Sequence, residues 1–477
     1  MCGIIGISSQ KEVAPELYES LLHLQHRGQD TAGILTVDER MHLKIGRGRA
    51  SEVFTSQDMQ ELKGKIGIAH LRYPTSGGHT LAEAQPLTTT FPYGIGLVHN
   101  GNIANYEEIK DLLKEKRRYV NSLSDSEILM HYFATFLAEH PPATSSPEFF
   151  EQICAAVNKI FDLATGAYSI ITVIVGMGLV VFRDPHGIRP LTMGARAAEN
   201  GKTDYIFASE DIPFYSLGFE PAGDVAPGEV VFIDLEGQLF RKVLTQKAYT
   251  PCVFEYVYFA RPDATMNALS IYQARLRMGQ NLAKAWKQKH PELIPDVVVP
   301  IPFTSNTPAL AFAQELNVPY SEGLYKNVFI GRTFIMPTQE KRLKSVRTKL
   351  RPQVAELKDK KVLLLDDSIV RGTTSKEIIK MVRDAGAKEV YLVSACPPVK
   401  FPCYYGIHIP TKAELIANQH QDEAGIAKDI GVDALLYQTI EALEEAVLRQ
   451  NHNKEMSQLC MACLNGCYGA GKPKDVA

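Results

Sequence analysis

The stretch VLLLDDSIVRGTTS, residues 362–375, decides the fold of the second half of the chain. It opens with the apolar run 362–365, which follows charged residues and is typical of a strand buried in a parallel sheet. Asp366 and Asp367 come next, at the carboxyl end of the predicted strand. In open α/β sheets this is the edge at which ligands bind.

Residues 371–375 (RGTTS) lead into the helical pattern KEIIKMVRDAG. Free backbone N–H groups and hydroxyls at such a helix start can hold a phosphate. The Gly-Lys-Ser/Thr ending of a Walker loop is absent. Because carboxylates repel phosphate, we expect Asp366 and Asp367 to accept hydrogen bonds from sugar hydroxyls or to help hold Mg²⁺. The predicted ligand is a sugar phosphate; the alternative is two solvated aspartates before an ordinary helix.

The composition is that of a globular protein with about two to four domains, judged from 477 residues. A net charge of −3 gives no basic field that would favour nucleic acid. The longest apolar stretch, 167–182, is too short to span a bilayer and contains Gly176 and Gly178, so we predict a buried hairpin. The sequence does not open with a signal-peptide pattern, so we expect a cytoplasmic location. In the cytoplasm, the eight cysteines are expected to be free thiols or ligands rather than disulfides.

The chain begins MCGIIGI, so removal of Met1 would place Cys2 at the N-terminus. Cys2 would then carry a thiol beside an α-amine whose pKa of about 8 suits a general base. The sequence therefore predicts a self-contained nucleophile, although a cysteine at this position could also occur by chance.

Four polar strings interrupt the strand-like and helical segments of the first half. They are LQHRGQDTAGI (24–34), GIAHLRYPTSG (67–77), LVHNGNIANY (97–106) and SLSDSEIL (122–129). Together with the N-terminal cysteine, these strings resemble the class II, N-terminal-nucleophile glutamine amidotransferases.

That resemblance implies a role for each of five residues. Cys2 would be the nucleophile, Asn100 and Gly101 the oxyanion hole, Arg72 the partner of the glutamine carboxylate, and Asp125 the partner of its ammonium. The residue types suit these roles, since guanidinium pairs bidentately with carboxylate and amide N–H groups stabilise an oxyanion. Taken singly, Arg72 or Asp125 could equally form a surface salt bridge.

The rest of the first half consists of short apolar runs broken by Gly, Pro and Asp, typical of layered sheets. Covering helices are expected near 14–24, 124–139 and 148–162. The family fold is the αββα sandwich. We expect a glutaminase domain over 2–242, a second α/β domain over 243–450 and a C-terminal tail over 451–477.

The second half alternates strands and helices, with a helix predicted over 270–289 and a strand over 297–299. This pattern predicts a parallel α/β sheet and, with the 362–375 stretch, resembles the type I phosphoribosyltransferases. By that resemblance, Thr304 joins two loop aspartates around Mg²⁺. The implied residues for binding 5-phosphoribosyl diphosphate (PRPP) in the loop are Asp366, Asp367, Ser368, Ile369, Val370, Arg371, Gly372, Thr373 and Thr374.

The segment 326–351 carries eight Lys or Arg and one acid, Glu340. It could be a solvated face or a nucleic-acid patch, but a lid over a polyanion fits better, because phosphates need counter-charge and an activated sugar must be kept from water. The family uses this segment as a lid. The resemblance singles out Arg332, Arg342 and Lys349 for PRPP binding.

The two halves in this order resemble the bifunctional amidotransferases that use glutamine and PRPP. Such an enzyme makes 5-phosphoribosylamine, and this reaction is the first committed step of purine synthesis. Ammonia released at Cys2 would pass internally to the second site. The resemblance also implies purine nucleotides as allosteric inhibitors and a homotetramer. From the net charge and the short apolar stretch, we expect no nucleic-acid or membrane partner. Two alternatives are a PRPP- or nucleotide-sensing regulatory protein with an idle glutaminase, and a purely hydrolytic glutaminase.

Part of that family carries a [4Fe–4S] cluster, which requires four thiolates. The positions that match its ligands are Cys252, Cys403, Cys460 and Cys463. Cys396 and Cys467 are rivals for the second and fourth places. Zinc or unliganded buried thiols are the alternatives, and Cys154 is expected in the core.

Overall fold

The structure is a computed structural model that describes residues 2–73, 80–328, 347–409 and 411–473. Two of the predicted PRPP-binding residues, Arg332 and Arg342, lie outside these ranges, as does most of segment 326–351. Among the helices of the described ranges, none combines the length and the apolar content needed to pass through a bilayer.

The first half is built mainly of strands. These are β1 Gly3–Ser8, β2 Thr31–Val37, β3 Met41–Arg47, β4 Ile66–Arg72, β5 Leu87–Thr89, β6 Ile95–Ile103, β7 Gly166–Ile174, β8 Gly178–Arg183, β9 Thr192–Ala197, β10 Thr203–Ala208, β11 Glu220–Asp224, β12 Glu229–Asp234 and β13 Leu239–Val243. Its helices are α1 Ala14–His23, α2 Ala50–Val53, α3 Ser56–Glu61, α4 Tyr106–Glu115, α5 Asp125–Leu137, α6 Ser146–Leu163 and α7 Ile212–Leu217.

These strands form two stacked antiparallel sheets. The seven-stranded sheet has the order β11-β9-β10-β1-β4-β2-β3, and the six-stranded sheet has the order β13-β12-β8-β7-β6-β5. Apolar side chains from both sheets, such as Ile4 and Ile171, fill the space between them. Helix α1 covers the outer face of the first sheet, while α5 and α6 cover that of the second. The predicted αββα sandwich is confirmed.

The hairpin of β7 and β8 accounts for the longest apolar run of the sequence. Ile171 and Val181 face the other sheet, whereas Ile170 and Phe182 face α5 and α6, so both faces of the strand pair are buried. Gly176 turns the chain with φ +75°, which glycine adopts without a steric penalty. The predicted buried hairpin is therefore confirmed, as are the three covering helices near the predicted positions.

The second half mixes short hairpins with a parallel sheet. Its strands are β14 Thr265–Met266, β15 Leu269–Ser270, β16 Val297–Pro300, β17 Leu324–Lys326, β18 Leu350–Pro352, β19 Lys361–Asp366, β20 Glu389–Ser394 and β21 Ala434–Tyr437. A π-helix spans Glu255–Phe259, and the helices that follow are α8 Ile271–Lys289, α9 Asn306–Leu316, α10 Val354–Leu357, α11 Thr373–Asp384, α12 Glu423–Ile430, α13 Ile440–Leu448 and α14 Ala462–Asn465.

The parallel sheet has the order β16-β19-β20-β21, and each neighbouring pair is parallel. Leu363 and Leu365 pack toward α8 and α9 on one face, whereas Val362 and Leu364 pack toward α11 and α12 on the other. Because both faces are covered, every position of the strand interior is apolar. The strand predicted over 362–365 is confirmed, and the loop that carries the two aspartates lies at the carboxyl edge of the sheet.

Candidate active sites

Cys2 directly precedes β1, which lies between β10 and β4 in the seven-stranded sheet. Its backbone nitrogen donates a hydrogen bond of 3.2 Å to Asn100 Oδ1 on the opposite sheet. Its carbonyl oxygen accepts one of 3.0 Å from Arg27 Nε. The main chain of Cys2 is therefore held on both sides, and its half-buried side chain lies directly before β1.

Asn100 lies on β6 with its side chain buried. Its Oδ1 atom faces Cys2, but its Nδ2 atom has no hydrogen-bond partner among the residues the structure describes. A buried donor without a partner costs about 1–3 kcal/mol. Such a donor beside a nucleophile suits an oxyanion that forms only during reaction.

Gly101 follows on the same strand, where no side chain would fit. A Cβ atom there would lie 2.0 Å from the Ala167 carbonyl oxygen and 2.7 Å from His99 Nε2. The neighbouring main chain therefore approaches Gly101 directly, which holds the peptide that would supply the second oxyanion donor.

Arg72 ends β4, and the register Gly3↔Leu71 places it opposite Cys2. Its side chain is buried, with Asp30 Oδ2 at 3.6 Å and Glu83 Oε2 at 3.8 Å from its terminal nitrogens. The Arg72 guanidinium is therefore buried at the end of β4, with two carboxylates nearby.

Asp125 begins α5, and its Oδ2 atom accepts a 3.0 Å hydrogen bond from Ile103 N at the end of β6. Burial acts to raise the pKa of this carboxyl group, but the charge and hydrogen bond of His99 and the bond from Ile103 hold the pKa below its usual value. Asp125 is therefore an ionised carboxylate tied to the strand that carries Asn100 and Gly101.

A buried ion cluster lies behind Cys2 and was not predicted from the sequence. Arg27 Nη1 donates to Glu210 Oε1 at 2.5 Å, and Arg27 Nη2 donates to Glu255 Oε1 at 2.9 Å. Arg189 also donates to Glu255. Although burial alone would raise the pKa of Glu210, its His26 and Arg27 partners lower it to about 2. Because Glu255 belongs to the second half, this cluster links the two halves directly.

The loop after β19 brings together the three residues predicted to hold Mg²⁺. Thr304 Oγ1 donates to Asp367 Oδ2, and the Asp367 amide donates to Asp366 Oδ1 at 2.9 Å. Ser368 Oγ donates to Asp367 Oδ1 at 2.7 Å. Burial and the adjacent Asp367 charge raise the pKa of Asp366 well above its usual value. Two carboxylates in this setting would be stabilised by a cation or by hydroxyl donors.

Gly372 precedes α11 with φ +73°, and a Cβ atom there would lie 2.4 Å from Ile416 Cδ1. The loop is fixed from the same side, because the Ile416 amide donates to the Val370 carbonyl at 3.0 Å. Thr373 and Thr374 occupy the first turn of α11, so their amides face the loop.

Three predicted residues of this loop have side chains directed elsewhere. Ile369 is buried in the core beneath the sheet, and Val370 packs against the neighbouring core. Arg371 pairs with Glu414 at 3.2 Å. In this arrangement Ile369 and Val370 could contact a phosphate only through their backbone.

The base of the basic segment is described, although its centre is not. Strands β17 and β18 pair antiparallel, and Asn327 N donates to the Lys349 carbonyl at 2.8 Å. Lys326 Nζ lies 5.0 Å from the centre of the Phe303 ring, in the loop that carries Thr304. Lys326 therefore lies beside the Thr304 loop, whereas Lys349 is placed only by its main-chain bond to Asn327.

The predicted cluster cysteines meet where the tail returns to the second half. The main chains of Cys252 and Cys460 pair in an isolated parallel β-bridge, and both thiols are free. The Cys463 carbonyl oxygen accepts a hydrogen bond of 3.0 Å from Phe401 N. Burial raises the pKa of Cys252 to about 11. Burial, followed by the nearby Cys403, Cys252, Cys396 and Cys460 thiols, raises the pKa of Cys463 well above its usual value.

The two rival cysteines differ, since Cys396 is buried beside this group whereas Cys467 is exposed. Cys154 lies on α6 and is buried in the hydrophobic core between α5, α6 and the six-stranded sheet, as predicted. Within the described ranges, no three His, Cys, Asp or Glu side chains form a group that could hold a single metal ion.

Two family profiles match the chain, one for each half. A glutamine amidotransferase domain matches residues 76–215, and a phosphoribosyl transferase domain matches residues 269–400. The first match includes Asn100, Gly101 and Asp125, and the second includes Thr304 and the 362–375 stretch.

Curated relatives match over nearly the whole length. Amidophosphoribosyltransferase of Pasteurella multocida is 47% identical, over 99% of this chain and 93% of the relative. The Escherichia coli and Saccharomyces cerevisiae enzymes of the same name are 47% and 45% identical, covering 98% and 93% of this chain and 92% and 88% of theirs.

A solved structure extends the match to three dimensions. It is the glutamine PRPP amidotransferase from B. subtilis complexed with ADP and GMP, with a TM-score of 0.86, 33% identity and coverage of 100% of this chain and 99% of that one. From the two domains, their order and this full-length similarity, we conclude that the chain belongs to the amidophosphoribosyltransferase family.

Proposed function

We propose that this chain converts glutamine, PRPP and water into 5-phosphoribosylamine, glutamate and diphosphate, as the committing step of purine synthesis. The observation that carries the proposal is the contact of Cys2 with Asn100, whose Nδ2 atom is buried beside the nucleophile and has no partner among the described residues. Full-length similarity to amidophosphoribosyltransferases supports the same reaction.

In the first half-reaction, Cys2 Sγ attacks the side-chain carbonyl carbon of glutamine. Asn100 Nδ2 and the Gly101 amide donate to the oxygen that becomes negative. The Cys2 amine, freed by removal of Met1, takes the thiol proton and returns it to the departing ammonia. Water then cleaves the thioester to glutamate.

Arg72 and Asp125 hold the two ends of the glutamine backbone. Arg72 pairs with the carboxylate, because a planar guanidinium offers two parallel N–H donors. Asp125 pairs with the ammonium as an ionised carboxylate, which is supported by its lowered pKa. Both residues are tied to the strands that carry the reacting groups, so the substrate would be aligned by the same framework as the nucleophile.

In the second half-reaction, ammonia attacks C1 of the ribose and diphosphate leaves. Residues 368–374 hold the 5′-phosphate by amides and hydroxyls at the start of α11, while Asp366 and Asp367 orient the ribose hydroxyls. Thr304, Asp366 and Asp367 offer the oxygen donors that Mg²⁺ prefers. When bound, Mg²⁺ would neutralise charge on the departing diphosphate.

Segment 326–351 closes the second site in this proposal. Its basic residues Arg332, Arg342 and Lys349 would pair with the phosphates, and the closed segment would form a wall of the passage for ammonia. The position of Lys326, at the start of this segment and beside the Phe303 ring of the Thr304 loop, supports this role.

A [4Fe–4S] cluster on Cys252, Cys403, Cys460 and Cys463 forms part of the proposal, with Cys396 and Cys467 as the rival ligands. Four neighbouring cysteine thiols are the donors that a [4Fe–4S] cluster requires. Because this cluster is larger than a single metal ion, its ligands lie farther apart than those of one ion. Iron and sulfide analysis after anaerobic purification tests the assignment. About four irons and four sulfides per chain, lost in Cys460→Ser, are expected; their absence from the anaerobic protein would contradict it.

Domain bounds, regulation, assembly and location complete the proposal. The bounds are 2–242 for the glutaminase, 243–450 for the phosphoribosyltransferase and 451–477 for the C-terminal tail; the first bound lies one residue before the end of β13 at Val243. Purine nucleotide inhibition is supported by the ADP and GMP named for the similar B. subtilis structure. A homotetramer and a cytoplasmic location are predictions from the sequence alone.

The test is glutamate release with and without PRPP and Mg²⁺. We expect strong stimulation by both together and its loss in Cys2→Ala. Activity indifferent to PRPP would instead support the purely hydrolytic glutaminase, and binding of PRPP without either reaction would support a sensor.

A further inference from the structure

We propose that the segment CYYGI, residues 403–407, positions the oxyanion hole of the glutaminase from the second half of the chain. This segment, here called the 403–407 segment, belongs to the other half of the sequence from the glutaminase strands. It nevertheless packs on β6 immediately after Asn100. The inference rests on the proposed oxyanion roles of Asn100 and Gly101.

Two contacts fix β6 against the 403–407 segment. Asn102 Nδ2 donates a hydrogen bond of 2.9 Å to the Tyr404 carbonyl oxygen. Gly406 lies directly on the Gly101 main chain, because a Cβ atom at Gly406 would be 3.0 Å from both the C and O atoms of Gly101 and 3.2 Å from its Cα. Gly406 also has φ +100°, which L side chains rarely adopt.

The 403–407 segment is itself held by buried groups. Tyr405 is almost fully buried, and its carbonyl oxygen accepts from Arg189 Nη1 at 3.3 Å. The Tyr405 hydroxyl donates to Gly471 O at 2.8 Å and accepts from Ala470 N at 3.1 Å.

The same tail reaches the partner strand of β6. Ala470 O accepts a 2.9 Å hydrogen bond from Gly166 N, at the start of β7. Gly166 lies opposite Ile103 in the register of β6 and β7. The 403–407 segment and the tail therefore hold both strands of the hairpin at the end that bears Gly101.

Gly101 is thus enclosed from two directions. The Ala167 carbonyl oxygen approaches its Cα from β7, and Gly406 approaches its Cα and carbonyl group from the 403–407 segment. Because the Gly101 Cα also carries the preceding N–H group, holding it from both sides limits reorientation of that donor. A fixed donor stabilises the transition state more than the bound substrate. Displacing Gly406 should therefore lower kcat of glutamine hydrolysis and leave KM for glutamine nearly unchanged.

The experiment uses full-length Gly406→Ala and compares three kinetic quantities with those of the natural protein: kcat and KM for glutamine hydrolysis, and the rate of ammonia-dependent synthesis. We expect kcat for glutamine hydrolysis to fall about 10- to 100-fold, since one oxyanion donor is worth about 100-fold or more. KM for glutamine and the synthesis of phosphoribosylamine from PRPP and ammonium chloride should remain within about threefold. Gly431→Ala is the control, because Gly431 has φ +85° but nothing within 4 Å of the added Cβ atom.

Asn102→Ala is a second, milder variant that removes only the hydrogen bond to Tyr404. Its control is Asn418→Ala, since Asn418 also donates from its side chain to backbone carbonyls, those of Lys400 and Lys412 at 2.8 and 2.9 Å. Asn102→Ala should lower kcat for glutamine in the same selective way, and Asn418→Ala should not.

The inference is overturned if both variants keep the kcat of their controls. It is also overturned if they lose glutamine- and ammonia-dependent synthesis equally, since that would indicate general destabilisation. Failure of the underlying function gives a different result: the natural protein would make no phosphoribosylamine, or Asn100→Ala would retain full glutaminase activity.

Discussion

At the scale of the residue, the proposed oxyanion hole depends most on Asn100. Its oxygen atom is satisfied by the Cys2 amide, and its buried nitrogen atom has no partner within the described part of the chain. The sequence predicted Asn100 through the LVHNGNIANY string, but only the fold reveals that one end of the amide is engaged and the other is available.

Asn100→Ala should lower kcat for glutamine hydrolysis about 100- to 1,000-fold, because it removes a donor used mainly in the transition state. KM for glutamine should change little, and ammonia-dependent synthesis should persist. Steady-state kinetics with both nitrogen sources checks the result, and a rise in KM at unchanged kcat would contradict the assigned role.

Glu210 gives a residue-scale prediction about pH. Its pKa of about 2 in the folded chain lies below the value of about 4.3 for an unperturbed glutamate. The stability that ionised Glu210 contributes is therefore fully present above about pH 4.3 and is lost as the pH falls toward about 2.

Glu210→Gln should lower the free energy of unfolding at pH 7 by about 3 kcal/mol, because it leaves the buried Arg27 short of a counter-charge. Between about pH 4.3 and 3, the variant should lose less further stability than the natural protein. Urea denaturation of both proteins at pH 7, 4.3 and 3 measures these differences in the free energy of unfolding. Glu199→Gln is the control, since Glu199 pairs with Lys11 in an exposed position; equal behaviour of the two variants would contradict the prediction.

At the scale of the element, the unit of β19, its loop and α11 was largely predictable from the sequence. The uninterrupted apolar run indicated a strand buried on both faces, and the hydroxyl residues indicated the helix start. The contact of the loop with Ile416 was not predictable, because periodicity carries no information about a segment that is distant in the sequence. Similarly, the sequence pattern did not distinguish the buried Ile369 side chain from residues that face a ligand.

Gly372→Ala should raise KM for PRPP about tenfold or more, because the added methyl group would meet Ile416 Cδ1 and the backbone has φ +73°. Ile416→Val removes that Cδ1 atom, so the double variant Gly372→Ala/Ile416→Val should recover part of the affinity. Initial rates at varied PRPP with saturating ammonium chloride provide the measurement. A double variant no better than Gly372→Ala alone would contradict the steric account.

At the scale of the whole molecule, two folds meet through buried contacts that cross the chain. The order of motifs predicted both folds, since each half carries local strings of its own. The Arg27 cluster was not predicted, because its partners Glu210 and Glu255 are 183 and 228 residues away in sequence. A single arginine in the string QHRG gives no sign of such partners.

This cluster extends from Cys2 toward the second half of the chain. Arg27 holds the Cys2 carbonyl, and Glu255 begins the π-helix whose Tyr256 carbonyl accepts from Arg275 Nε at 2.8 Å. The positive charge of Arg275 acts to lower the pKa of Asp367, against the stronger effect of burial. Arg27, Glu255 and Arg275 therefore lie between the Cys2 main chain and the 362–375 loop.

In the proposed reaction, nitrogen moves inside the protein from glutamine at Cys2 to the ribose at the Asp366 loop. The most direct measurement follows the amide ¹⁵N of labelled glutamine into phosphoribosylamine in the presence of excess unlabelled ammonium chloride. We expect the product of the natural protein to carry a much higher fraction of ¹⁵N than the ammonium pool, and Cys2→Ala to yield only unlabelled product. A natural protein whose product carries the isotope ratio of the ammonium pool would contradict it.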